Sequence, residues 1–103
     1  MHLQKNLTVN EHPFYEPFIK EFTEWAYGEF NSKTFQRKAM ELLVMLKKMC
    51  RDCVDSHLLF PFFTVILSKV ILVERNKREK IKPELKVLLS QVGFSFLAQS
   101  INM

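Results

Sequence analysis

The stretch Lys33–Asp55, KTFQRKAMELLVMLKKMCRDCVD, decides the fold. Its apolar residues are Phe35, Ala39, Leu42, Leu43, Leu46, Met49, Cys50 and Cys53. Spacings of three and four put them on one face of a helix. Arg37, Lys38, Lys47, Lys48 and Arg51 take the opposite side. The pattern predicts an amphipathic helix over 33–55. Asn31 and Ser32 precede it, and either residue type caps a helix by accepting a bond from an unpaired N–H.

Working outward, the same period appears upstream. Phe18, Phe22, Trp25, Ala26 and Phe30 form an aromatic stripe, with Phe14 one turn earlier. Pro17 suits a first helical turn, where a missing N–H costs nothing. The expected helix covers 17–30. Downstream, Pro61 opens a run in which only Thr64, Ser68 and Lys69 are polar up to Val73. It reads as a helix over 61–80, apolar nearly all round and so buried by several neighbours. A strand ranks lower there, because no Gly or Asn turn stands nearby to return a partner strand. Pro83 restarts the chain. Leu85, Leu88, Leu89, Val92 and Phe96 then predict a helix over 84–100, interrupted at Gly93.

These elements imply a single all-α domain, a bundle of about four helices with antiparallel neighbours. Helices two and three are expected as the central hairpin. Residues 1–12 lack helical period and read as a flexible or extended N-terminal arm. The composition agrees. Ten Phe and only two Gly in 103 residues leave little material for hairpin turns. The apolar fraction of 48% excludes a disordered chain. A domain of this length buries roughly two thirds of its unfolded surface and needs no disulfide or metal to fold. Met1 to Lys5 shows no signal-peptide pattern, so a cytoplasmic location with reduced thiols is expected.

Charge is unevenly spread. Residues 1–30 hold five Glu against Lys5 and Lys20, a net of −3, whereas residues 31–103 hold 13 basic and 6 acidic residues, a net of +7. The densest basic segment contains Arg75, Lys77, Arg78, Lys80 and Lys82. Phosphates attract such clusters by counterion release. Cations at a helix C-terminus also simply complement its dipole. The Gly93–Ser95 region has the look of a helix-turn-helix turn, but the short helix after it carries no Arg or Lys to read a groove.

Cys50-x-x-Cys53 with His57 supplies three of the four ligands a zinc site needs. A fourth would have to come from His2, His12 or Asp55. The pair continues the apolar stripe at a helix C-terminal end, where the dipole opposes a thiolate. Buried structural cysteines are the expected reading, with no metal and no cofactor. The apolar run 58–73 spans 16 residues and contains Lys69, against about 20 residues for a membrane crossing. A core helix is therefore expected rather than a membrane span.

Phosphate-cradling loops, nucleophile elbows and metal-binding H-E-x-x-H patterns are absent from the sequence, and the expectation is a protein that is not an enzyme. The surplus of aromatic residues points to a regulator or adaptor that binds a protein partner, a second copy included. Phe14, Phe18, Trp25 and Tyr27 are the expected anchors, since aromatics dominate interface energetics. The alternative is a nucleic-acid-binding regulator using segment 75–82 and the basic face of helix two.

Overall fold

A computed structural model describes residues 6–76 and 79–101. Four helices follow in order: α1 (Tyr15–Tyr27), α2 (Phe35–Asp52), α3 (Phe60–Arg75) and α4 (Pro83–Ile101). Among the described residues there is no strand, only an isolated bridge between Leu7 and Cys53. The molecule is an all-α four-helix bundle.

Each helix end has a local cause. Pro17 lies in the first turn of α1, which begins at Tyr15, two residues before the expected start. The helix stops at Tyr27, not at 30. Gly28 is extended, and a Cβ there would run into the carbonyl oxygen of Glu24. Before α2, the Asn31 carbonyl accepts both the Thr34 and Phe35 N–H groups, and its side chain accepts from Lys33 N–H at 3.0 Å. The helix leaves off at Asp52 rather than 55. Cys53 is extended because it pairs with Leu7, and Val54 N–H donates to the Leu7 carbonyl at 2.9 Å.

A 3-10 turn, Ser56–Leu59, leads into α3, with Pro61 in the first turn. The expected extension of α3 to residue 80 is corrected to Arg75. Residues 79–82 instead run along α2, held by one side chain. The Gln36 amide donates to Glu79 Oε2 at 2.6 Å and to the Lys80 carbonyl at 2.8 Å, and accepts from Lys82 N–H at 2.8 Å. Helix α4 is continuous through Gly93, which removes the expected interruption and with it any helix-turn-helix. Gly93 packs against the Phe63 ring, which a Cβ would meet at 3.4 Å, within ordinary contact.

The centre of the bundle is α2. Leu42, Leu43, Leu46 and Met49 are fully buried there. It packs most extensively on α4 and next on α1, and α3 touches it least of the three helices. The expected α2–α3 central hairpin is thus replaced by an α2–α4 pair. That pair runs parallel: Gln36 reaches Lys82, and Lys47 Nζ donates to Gln91 Oε1 at 3.2 Å. Consecutive helices α3 and α4 run antiparallel. The Phe60 and Phe96 rings meet at 5.4 Å, and at the other end Lys86 pairs with Glu74 at 2.8 Å.

Residues 6–12, expected as a flexible or extended arm, pack on the bundle. Val9–Glu11 forms a 3-10 turn, and Val9 and His12 are buried. Val9 N–H donates to Asp55 Oδ1 at 2.8 Å, tying the segment to the α2–α3 connection.

Candidate interaction surface

Helices α3 and α4 each carry apolar residues on more sides than the core can cover. On α3 only Phe63, Ile66, Val70 and Val73 are buried, so a helix apolar nearly all round leaves much of that surface in water. Phe60 is 48% exposed, Phe94 66% and Leu97 57%. These three rim a shallow groove of about 410 Å³ between the helices, floored by Phe63, Leu67, Leu89 and Gly93. A smaller recess of about 260 Å³ continues it past Phe96 to His57 and Ser100. Residues 56–68 and 87–101 contain no Asp, Glu, Lys or Arg. The face is therefore apolar and uncharged along most of its length.

The expected anchors do not form this surface. Phe18 is fully buried, stacked on Phe22 at 5.7 Å and edge-on to Phe62 at 5.2 Å. It belongs to the core, since α1 needs its aromatic stripe to pack on α2 and α3. Trp25 is half-buried, stacked on Phe35 at 5.0 Å while its Nε1–H donates to the Phe35 carbonyl at 3.1 Å. That bond pins the end of α1 to the start of α2. Phe14 is half-buried with its ring edge-on to His12 at 5.3 Å. Tyr27 alone of the four is well exposed. Phe60, Phe94 and Leu97 were missed, although a signal existed. A helix free of charge from 87 to 101 has no face to give to water.

Arg75, Lys80 and Lys82 are exposed, and Lys77 and Arg78 lie outside the described residues. On α2, Arg37 pairs with Glu41 at 3.1 Å, and Arg51 and Lys48 meet Asp52 at 2.9 and 3.6 Å. The trough along the outer side of α2, about 890 Å³, is lined by Lys33, Arg37, Lys38 and Lys82 but equally by Glu21, Glu41, Glu79 and Glu84. Its charges balance, so it offers no sustained positive field.

Cys50 and Cys53 are buried with no disulfide, whereas His57 is exposed. Cys53 Sγ lies 3.8 Å from the Thr8 carbonyl. Among the described residues no group of three or more His, Cys, Asp and Glu is placed to hold a metal ion. The apolar run 58–73 lies within a longer helical stretch. The 3-10 turn and α3 together give a continuous helical stretch Ser56–Arg75 of 20 residues, with mean hydropathy 1.9 and 33% buried in the bundle. By length and composition alone it is sufficient to cross a membrane.

A polar cluster that the sequence reading overlooked locks the N-terminal segment. Phe14 N–H donates to His12 Nδ1 at 3.0 Å, which assigns the proton to Nε2. Nε2–H then donates to Asp52 Oδ2 at 2.9 Å. The Arg51 guanidinium, bonded to Asp52 Oδ1, is the main cause holding the Asp52 carboxyl down to about 2. His12 and Lys48 act in the same direction, and desolvation opposes them.

The chain matches no known family model, and neither the curated proteins nor the solved structures compared with it show significant similarity.

Proposed function

We propose that this chain is a non-enzymatic interaction module, a small regulator or adaptor that binds protein through the outer face of α3 and α4. The observation that carries this reading is the uncharged groove rimmed by Phe60, Phe94 and Leu97. Exposed contiguous apolar patches on small proteins mark contact surfaces, and interface centres are poor in charge and rich in aromatics. Compared with the anchors expected on α1, this face offers side chains that the core does not use.

The nucleic-acid reading draws less support. Its basic residues are interleaved with Glu74 and Glu79, and those on α2 are mostly engaged with neighbours. A photo-crosslinking residue placed at Phe94 tests the proposal in the native host. The expected result is a protein adduct at position 94 that disappears when Leu97→Asp is added, with none from the same probe at Val44 on α2. A probe at 94 that captures only nucleic acid, or nothing, overturns it.

A further inference from the structure

We infer that the occupant of the α3–α4 face is a second copy of this chain, related by a two-fold axis passing near Gly93. The inference rests on the reading of this face as a protein contact and names the partner. Three features favour a self-contact. The first is charge. The chain carries a net +4, so two copies repel wherever their charged surfaces approach. The strips 56–68 and 87–101 carry no charged side chain, and they meet on one face. Two copies can approach there without juxtaposing like charges. A heterologous partner held by charge would need complementary groups on the rim, and the rim residues His57, Gln99 and Ser100 supply none when His57 is neutral.

The second is relief. Phe94 is two thirds exposed and lines the groove beside Gly93. A two-fold operation sets the Phe94 ring of each copy into the groove of the other, which satisfies the self-complementarity an isologous interface requires. The third is area. Taking about 200 Å² for a full side chain, Phe60, Phe94 and Leu97 leave roughly 300 Å² of apolar surface in water per copy. Two copies together would cover about 600 Å² of it. Standard interfaces bury about 1,200–2,000 Å² in total, roughly 65% of it apolar in homodimers. At that share, 600 Å² of apolar surface corresponds to about 900 Å² in total, below the standard range and in the class of weak, transient contacts, which fits a dimer that forms with concentration rather than a permanent one.

A lipid surface fits less well. Lys86 and Arg75 lie at the Glu74 end of the α3–α4 pair, and the strips 56–68 and 87–101 carry no cation of their own for a headgroup.

Sedimentation equilibrium on the full chain from about 1 to 500 µM tests the inference. The expected result is a weight-average mass rising from 12.3 kDa toward twice that value, with a dissociation constant of about 10–100 µM. Phe94→Asp should stay monomeric throughout with unchanged helicity by circular dichroism. Leu97→Asp serves in its place if Phe94→Asp loses helicity. A wild-type chain that stays monomeric overturns the inference, as does a dimer that survives both variants. Co-sedimentation of a monomeric chain with phosphatidylserine vesicles, lost in Phe94→Asp, overturns it in favour of lipid. In the monomeric case, the crosslink at position 94 separates the two levels. A foreign protein adduct leaves the interaction reading standing without the second copy, and no protein adduct removes both.

Discussion

Helices α1 and α2 divide most of their residues between core and water, with Tyr27 and Val44 as exposed apolar exceptions, and α3 and α4 do not. Along α2, buried positions recur every three or four residues and charged residues fill the gaps. Along α4, Leu85, Leu89, Val92 and Phe96 are buried, yet Val87, Phe94 and Leu97 are as apolar and face outward. One half of the bundle is specified by pattern. The other half holds apolar surface that its own fold does not consume. On the proposed reading, a face whose residue choice folding does not explain is where another molecule is expected.

Removing one large side chain from each half gives the largest contrast. Leu46 is fully buried in α2, at the meeting of the core layers. Leu46→Ala is expected to lower unfolding stability by about 3 kcal/mol, from lost transfer energy and the cavity left behind. Urea denaturation at a concentration where the chain is monomeric reads this directly. A loss below about 1 kcal/mol would break the comparison, because α2 would then not be the organising helix.

A smaller effect concerns how the α2 end is closed. The N-terminal segment is fastened there by His12, Asp52 and Asp55, polar bonds with no counterpart described on the outer α3–α4 face. Asp52 titrates at about 2 when folded, below its ordinary 3.8. Its contribution is therefore complete above about pH 4 and is lost as the pH falls toward 2. Arg51 is well exposed, so screening keeps the worth of the cluster to about 1 kcal/mol. Asp52→Asn should remove that part of the acid-side slope in a stability–pH profile between pH 4 and 2. An unchanged slope would mean that the clasp does not stabilise the fold.

The helical period was legible in the sequence wherever polar residues interrupted apolar ones, as in α2. Helix ends were less so, because distant partners set them. Leu7 draws Cys53 out of helix, and Gln36 holds segment 79–82 away from α3. Neither pairing leaves a mark in a local window, and Gln36 reads as one more residue on a polar face. Phe18 was expected as an exposed anchor for a related reason. Residue type says that Phe18 and Phe94 both prefer burial, and only packing reveals that the first is covered by Phe22 and Phe62 while the second is not. The charge-free stretch 87–101 carried the information in another form.

The smallest expected effect is the most discriminating for the comparison. Phe94→Ser removes a larger side chain than Leu46→Ala, so a naive volume argument ranks it as the more damaging. With two thirds of its surface already in water, Phe94 has little burial to lose. Its substitution should change monomer stability by less than about 0.5 kcal/mol, the usual range for surface positions. The same change should abolish whatever association the wild-type chain shows. Stability and association would then respond to opposite halves of the bundle: Leu46 to the first and Phe94 to the second. If Phe94→Ser instead destabilises the monomer by 2 kcal/mol or more, its ring is structural, and the surface on α3 and α4 is not spare.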